Sequence, residues 1–371
     1  MPRVFEENVI NGMHLRNRIV RSATWEGMCD EEGTPTPLLE KCYRDLAAGE
    51  VGLIITGYTF VRRDGRELPW KMGLETNSGE KSFRRLTDGV HEAGGKICVQ
   101  LVHAGGQTTT AAAGRQPLAP SAVKADQFYE MPASMSRDDI TKLISAFGEA
   151  ARRGKDWGFD AVQLHAAHGY LINQFLSPLT NGRGDEYGGA LENRARFLME
   201  TYNTVRQVVG KEYPVMAKLN GSDFLDGGLS LEDAVLVAQM LDKAGIDAIE
   251  VSGGTPASGD QAPVRKKIKG REKEAYNLEL ARAVRKAVAC PVMVVGGFRS
   301  YDLLAEVLDT GVVDYVAMAR PFIREPELVA RWKAGDTRPA RCISCNKCFK
   351  PGLKGEGIYC VVEKEEKEKD R

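Results

Sequence analysis

Short β-branched runs and longer amphipathic stretches alternate along the chain from one end to the other. Eight runs carry the strand pattern: Arg18–Ala23, Val51–Thr56, Lys96–Val102, Ala161–His165, Val215–Asn220, Ala248–Ser252, Val292–Gly296 and Asp314–Ala319. Each is followed by a segment of helical character. After Ser136, Ile140, Leu143, Ile144, Phe147 and Ala151 recur at helix spacing, and Ser136 with Asp139 resembles a capping box. A second capped helix starts at Ser230, with Asp233. Eight successive βα units predict an α/β fold, a closed (β/α)8 TIM barrel; a doubly wound open sheet has about six strands and a glycine-rich fingerprint after its first. No GxGxxG follows the first run. Val9–Leu15, with Asn11-Gly12 as a tight turn, predicts an N-terminal hairpin that caps the lower end of the barrel.

Composition narrows the function classes. A length of 371 residues suits either two domains of roughly 150 residues or one barrel of 250 or more. Lys plus Arg (51) equals Asp plus Glu (51), giving zero net charge, which argues against a nucleic-acid partner. With 43% hydrophobic and 27% charged residues the chain can bury a large core, yet it has no apolar run of about 18 residues that would span a membrane. The N-terminus lacks a signal-like apolar stretch, and the eight cysteines are not spaced as a small secreted disulfide framework. A cytoplasmic protein with mostly reduced thiols is expected. The expected division is a barrel over residues 1–336 and a short cysteine-rich C-terminal tail over 337–371.

Barrel enzymes place their chemistry at the carboxyl ends of the strands, and two connections leaving that face are long: His103 to Ser136 and Gly253 to Lys273. One or both are expected to form a lid. Polar residues converge at the same face: Gln100 and His103 after the third run, His165, His168 and Tyr170 after the fourth, and Lys218 after the fifth. Gly296-Gly297 and Ala319-Arg320-Pro321 end the last two. Loops after strands seven and eight bind phosphate in many barrels, and Arg320 adds a charged fork. The spacing His165-Ala-Ala-His168 admits two chemical readings: a metal site completed by Asp185 or Glu186, which would make a metallohydrolase, or an anion site in which Tyr170 donates a proton. A structural pair of satisfied histidines is the third. Gln100 can donate and accept together, as the pyrimidine end of an isoalloxazine requires, and a Lys218 cation there would stabilise the reduced ring. The pair suits FMN.

The run Gly158 to Arg196, GFDAVQLHAAHGYLINQFLSPLTNGRGDEYGGALENRAR, resembles the signature of the Old Yellow Enzyme family of FMN-dependent NAD(P)H:flavin oxidoreductases. The likeness extends to Asn17-Arg18-Ile19-Val20, Gly52-Leu53-Ile54-Ile55, Gln100 to Gly105, Gly296-Gly297 and Ala319-Arg320-Pro321, roughly residues 3 to 335. It implies that Ser22, Ala23 and Thr24, with Gly57 and Tyr58, lie along the flavin, and that Gln100 and Lys218 take its pyrimidine edge. Gly296, Gly297, Ala319 and Arg320 would hold the phosphate. His165 and His168 would bind the carbonyl of an enone or related electrophile, hydride would pass from flavin N5, and Tyr170 would protonate the α-carbon. The implied activity is an ene reductase with ping-pong kinetics, and many such barrels associate as homo-oligomers. Two departures stand out: Lys218 where the family has Arg, which removes a bidentate fork, and Trp25 where relatives carry Cys or Thr, which would narrow the pocket on the substrate side or stack near the ring. Cys29 is given no role. The run Arg265, Lys266, Lys267, Lys269, Arg271 and Lys273 reads as a solvated basic loop or as a site for the phosphates of NADPH or an acyl-CoA.

Beyond the barrel, Cys342, Cys345, Cys348 and Cys360 form C-x2-C-x2-C-x11-C. Four thiolates at this spacing suit a [4Fe–4S] cluster by count and a zinc site less well. The segment resembles the iron–sulfur segment of trimethylamine dehydrogenase and 2,4-dienoyl-CoA reductase. That likeness keeps an alternative open: an FMN/iron–sulfur electron-transfer subunit, or an amine dehydrogenase-like enzyme with a protein electron partner. The chain ends in a charged run, Glu363 to Arg371.

Overall fold

The computed structural model describes residues 3–369. Eight strands form the barrel: β1 (Ile19–Arg21), β2 (Leu53–Ile55), β3 (Ile97–Val102), β4 (Ala161–Ala166), β5 (Val215–Asn220), β6 (Ala248–Ser252), β7 (Val292–Val295) and β8 (Tyr315–Met318). Each pairs in parallel with the next, and β8 closes the ring onto β1. The expected (β/α)8 barrel is therefore present, with strand bounds that differ from the sequence pattern by one or two residues where polar or glycine positions leave the ladder.

The outer ring consists of α1 (Pro37–Ala48), α2 (Glu80–Glu92), α3 (Arg137–Asp156), α4 (Leu191–Val209), α5 (Leu231–Lys243), α6 (Leu278–Ala287), α7 (Tyr301–Asp309) and α8 (Leu328–Lys333). Ser136 starts α3 as its sequence implied: its Oγ accepts from the Asp139 N–H (3.1 Å) and the Asp139 carboxylate accepts from the Ser136 N–H (2.9 Å). Two orphan donors of the first turn are satisfied together. Ser230 caps α5 through the Asp233 N–H (3.1 Å).

Alternation along the strands divides the barrel interior into two layers. The lower one is apolar, built from Val20, Leu53, Cys98, Ala161, Met216, Ala248 and Met293, and the N-terminal hairpin seals it from below with Ile10, Met13 and Leu15. In that hairpin Asn8–Ile10 pairs antiparallel with Met13–Leu15, Ile10 opposite Met13. Asn11 and Gly12 have φ of 41° and 76°, the two left-handed residues that a mirror-type turn demands. Two residues further along β3, β4, β5 and β6, the same inward face carries Gln100, Gln163, Lys218 and Glu250, all buried. The barrel is thus dry below and polar above.

Three features lie outside the sequence expectation. After β2 the chain leaves the ladder and rejoins it as Thr59–Phe60 beside Leu101–Val102, which turns Tyr58 toward the mouth of the barrel. The long connection after β3 contains a small paired segment, Leu118–Ala119 with Ala133–Ser134. The tail docks on the barrel: the Ile358 N–H donates to the Glu26 carbonyl (2.8 Å) and the Ala340 N–H to the Arg299 carbonyl (2.8 Å). Its charged run is helical as α9 (Val361–Lys369), and the last two residues of that run, 370–371, lie outside the described residues. No helix of the described residues is long and apolar enough to cross a membrane.

Candidate active site

A cavity of about 360 Å³ opens at the carboxyl ends of the strands. Its floor is the polar layer, joined as one chain of hydrogen bonds. Gln100 Nε2 donates to Gln163 Oε1 (2.6 Å), and Gln163 Nε2 donates to Glu250 Oε2 (3.0 Å). Lys218 Nζ donates to Glu250 Oε1 (3.0 Å) and to Ser22 Oγ (2.8 Å), while Ser22 Oγ donates to Glu250 Oε1 (2.6 Å). The Lys218 ammonium is therefore matched by a carboxylate, and both side chains are at most 3% exposed. One polar atom of this network is left over: Gln100 Oε1 is buried without a partner among the described residues.

The wall above the floor holds His165, His168 and Tyr170. After β4, His168 (φ 62°) and Gly169 (φ 78°) are both left-handed, a turn that a histidine adopts at a cost on the order of 1 kcal/mol. Asn173 Oδ1 accepts from the Gly169 N–H (2.6 Å) and Asn220 Oδ1 from the His168 N–H (3.2 Å), which holds the turn. His165 packs edge-on against Tyr170, centroids 4.8 Å apart, and against His168 at 5.1 Å. The Ala167 N–H donates to His165 Nδ1 (3.3 Å), so the proton of the neutral ring sits on Nε2. His168 Nε2 is hydrogen-bonded to Ser252 Oγ (2.7 Å). Burial, followed for His165 by the His168 and Lys218 charges, holds both imidazoles well below their usual range; they are neutral hydrogen-bonding groups near pH 7. Burial and then the Glu67 charge push the Tyr170 phenol well above its usual value, so it keeps its proton.

Behind Tyr58, Lys71 is 1% exposed, its Nζ lies 3.5 Å from the Tyr58 ring centroid, and it has no hydrogen-bond partner among the described residues. Burial brings its pKa down from 10.5 to about 7. The folded value lies below the unfolded one, so between these limits the unfolded chain holds the extra proton and stability rises with pH. Lys71→Met is expected to be more stable than the parent at pH 7, by on the order of 1–3 kcal/mol, and to lose the rise toward alkaline pH in denaturant midpoints. A less stable variant would show that the cation–π contact outweighs burial.

At its other end the cavity reaches Gly297, Ala319 and Arg320. Gly297 has φ 75°, and a side-chain carbon there would meet the Tyr276 ring at 2.8 Å. Arg320 Nη1 donates to the Arg265 carbonyl (2.7 Å) and to Asn346 Oδ1 (2.7 Å). This arginine lines a second cavity as well, the one bordered by Cys342, Cys345, Cys348 and Cys360. All four thiols are free, with Cys348 buried and Cys345 exposed. No three thiol, imidazole or carboxylate groups among the described residues are placed to hold a single metal ion.

The cavity brings together Ser22, Ala23, Thr24, Trp25, Tyr58, Gln100, His165, His168, Tyr170, Lys218, Gly297, Ala319 and Arg320. Gly57 and Gly296 are not on its wall. Gly57 gives its N–H to Glu26 (3.1 Å) and to the Tyr43 hydroxyl (3.0 Å) behind the site, and Gly296 packs under Tyr276. Trp25 lines the wall with its indole N–H tied to the Pro69 carbonyl (3.2 Å). Asp185 and Glu186 are not partners of the histidines: Arg183 grips Asp185 (2.6 Å), and Arg137 takes Glu186. Arg265 is not a free basic residue either, since its guanidinium stacks 4.2 Å from the Tyr276 centroid, while its lysine neighbours are exposed. Both long connections reach the cavity, through Gln107 and through Ala262, Pro263 and Val264. Sequence reading missed Glu250, Ser252 and Glu67. The inward alternation of β6, which puts Glu250 and Ser252 on one face with Ala248, was the signal for two of them.

The closed parallel barrel gathers an amide, an ammonium, two imidazoles and a phenol around one cavity at its mouth. Residues 4–338 match the model of the NADH:flavin oxidoreductase / NADH oxidase family, and the chain belongs to that family. It is 35% identical over 348 residues to the NADH oxidase of Thermoanaerobacter brockii, covering 93% of this chain and 53% of that one. To the NADPH dehydrogenase of a Geobacillus species it is 37% identical, covering 87% and 91%. Among solved structures, the Old Yellow Enzyme homologue from Zymomonas mobilis superposes with a TM-score of 0.82 at 28% identity, covering 97% and 100%. The chain spans about half the length of the T. brockii relative.

Proposed function

We propose that the cavity binds FMN and that the protein reduces activated C=C bonds of α,β-unsaturated carbonyl compounds with electrons from NAD(P)H. The observation that carries this reading is one cavity lined by the His165, His168 and Tyr170 trio together with Lys218 and Gln100, whose carbonyl is unpartnered among the described residues. That carbonyl suits the ring N–H of an isoalloxazine. Ser22, Ala23, Thr24 and Tyr58 line the space for the ring, and Gly297, Ala319 and Arg320 suit the phosphate. When bound, FMN supplies hydride exchange with the nicotinamide and with the substrate β-carbon. His165 donates from Nε2 to the substrate carbonyl, His168 donates from the ring nitrogen that its bond to Ser252 leaves free, and Tyr170 gives its proton to the α-carbon. Both long loops line the one cavity, which supports nicotinamide and substrate entering it in turn, with ping-pong kinetics.

The four tail cysteines suit a [4Fe–4S] cluster, which would exchange single electrons with the flavin. They line one cavity, and their number and spacing suit a multi-iron group better than zinc. Phe349, next to Cys348, lines the flavin cavity, and Arg320 lines both. This adjacency favours a second reading, an electron-transfer or amine dehydrogenase-like enzyme that passes electrons to a protein partner near the exposed Cys345.

The test is the visible spectrum of protein purified without oxygen, before and after NADPH or NADH. Flavin bands at roughly 370 and 450 nm that bleach are expected, with added absorbance at about 400 nm that Cys345→Ser and Cys348→Ser remove while flavin stays. A colourless protein that takes up no FMN would overturn the assignment.

A further inference from the structure

Tyr170 is 7% exposed, so a proton it gives away has to be replaced through its neighbours. Its hydroxyl donates to Glu67 Oε2 (2.7 Å), and the Tyr58 hydroxyl donates to the same oxygen (3.0 Å). The two rings sit 5.2 Å apart. Glu67 is half-buried and borders the cavity, so it touches the buried phenol on one side and solvent on the other. No arginine, lysine or histidine among the described residues forms an ion pair with it; the nearby cation is the buried, unpartnered Lys71 over the Tyr58 ring.

We propose that Glu67 is a positioning and proton-relay residue, which aims the Tyr170 hydroxyl and returns a proton from water to it in each turnover. The inference rests on the reading of Tyr170 as the donor to substrate. In the step itself the Tyr170 O–H bond breaks and a C–H bond forms at the substrate α-carbon, leaving a phenolate. Phenolate and carboxylate, 2.7 Å apart, then share one proton. Glu67 takes that proton from water and passes it to the phenolate oxygen, so one solvent proton is consumed and no electron moves. The titratable and charged groups that face this unit are Tyr58, Lys71 and His165, with the Glu67 charge acting on Tyr129 of the long loop and Arg66 acting on Lys71.

The experiment compares Glu67→Gln, Glu67→Asp and Tyr170→Phe in the FMN-loaded protein, with 2-cyclohexenone as probe. Glu67→Gln is expected to slow steady-state enone reduction roughly tenfold or more, less than loss of the acid itself, to leave reduction of the protein by NAD(P)H unchanged, and to alter the pH profile. Its second readout needs no turnover. Tyr170 ionisation, followed by the isotope-labelled tyrosine Cζ resonance that Tyr170→Phe deletes, is expected to move down by about one pH unit or more when the neighbouring charge is removed. Glu67→Asp keeps the charge and is expected to recover part of both effects. An unchanged pH profile and Tyr170 titration in Glu67→Gln, with Tyr170→Phe impaired, would overturn the relay alone. An unimpaired Tyr170→Phe would overturn the donor reading and the relay with it.

Discussion

Tyr170→Phe is expected to lower the rate of enone reduction by about 10²–10⁴ while leaving reduction of the protein by NAD(P)H at the parent rate. That loss corresponds to roughly 3–5 kcal/mol of transition-state stabilisation. The substitution is close to a pure deletion of one hydroxyl. The ring is held by His165 at 4.8 Å and by Tyr58 at 5.2 Å, contacts that phenylalanine keeps. What disappears is a phenol that burial and the Glu67 charge hold in its protonated form, the form a general acid needs. Stopped-flow measurement of the two half-reactions separates the cases: a slow second half alone supports the donor role, and two unchanged halves remove Tyr170 from the chemistry. If both halves slow together, the phenylalanine has disturbed the cavity rather than the proton transfer.

The barrel was legible because its signal is periodic. β5 and β6 match the sequence pattern at both ends, since short runs rich in Val, Ile, Leu, Met and Ala end at polar residues there and the neighbouring strands pin the register. The residues at the strand ends were legible for the same reason, as they continue that pattern onto the face that carries the cavity. Glu67 was not. It lies in a turn-rich stretch without periodicity, and its bond to Tyr170 joins residues 103 positions apart, a meeting set by loop conformation. Lys71 hid in the same way. Lys218 was read correctly as a polar strand-end residue but without its partner, although Glu250 stands inward on the neighbouring strand, directly across the register. Gly57 and Gly296 stand apart from the rest: adjacent residues line the cavity, and these two provide close packing behind it.

Glu250→Leu is expected to destabilise the protein by about 3–5 kcal/mol, the cost of leaving one member of a buried ion pair alone. Glu250 is fully buried and accepts from three donors, the Lys218 ammonium, the Ser22 hydroxyl and the Gln163 amide. Leucine fills similar space but satisfies none of them, and Lys218 at 3% exposure cannot reach water without moving. Removing both charges separates the pair from the packing. Lys218→Met with Glu250→Leu is expected to recover much of the loss, because no uncompensated charge remains and the coupling of neighbouring sites appears as non-additivity. Chemical denaturation at a fixed FMN concentration, needed because a bound ligand adds to apparent stability, measures all three variants on one scale. A single variant within about 1 kcal/mol of the parent would mean that Lys218 finds another acceptor. The polar floor would then be adaptable, and the matched charge of Lys218 would not be the feature that keeps the layer above the apolar core in a single arrangement.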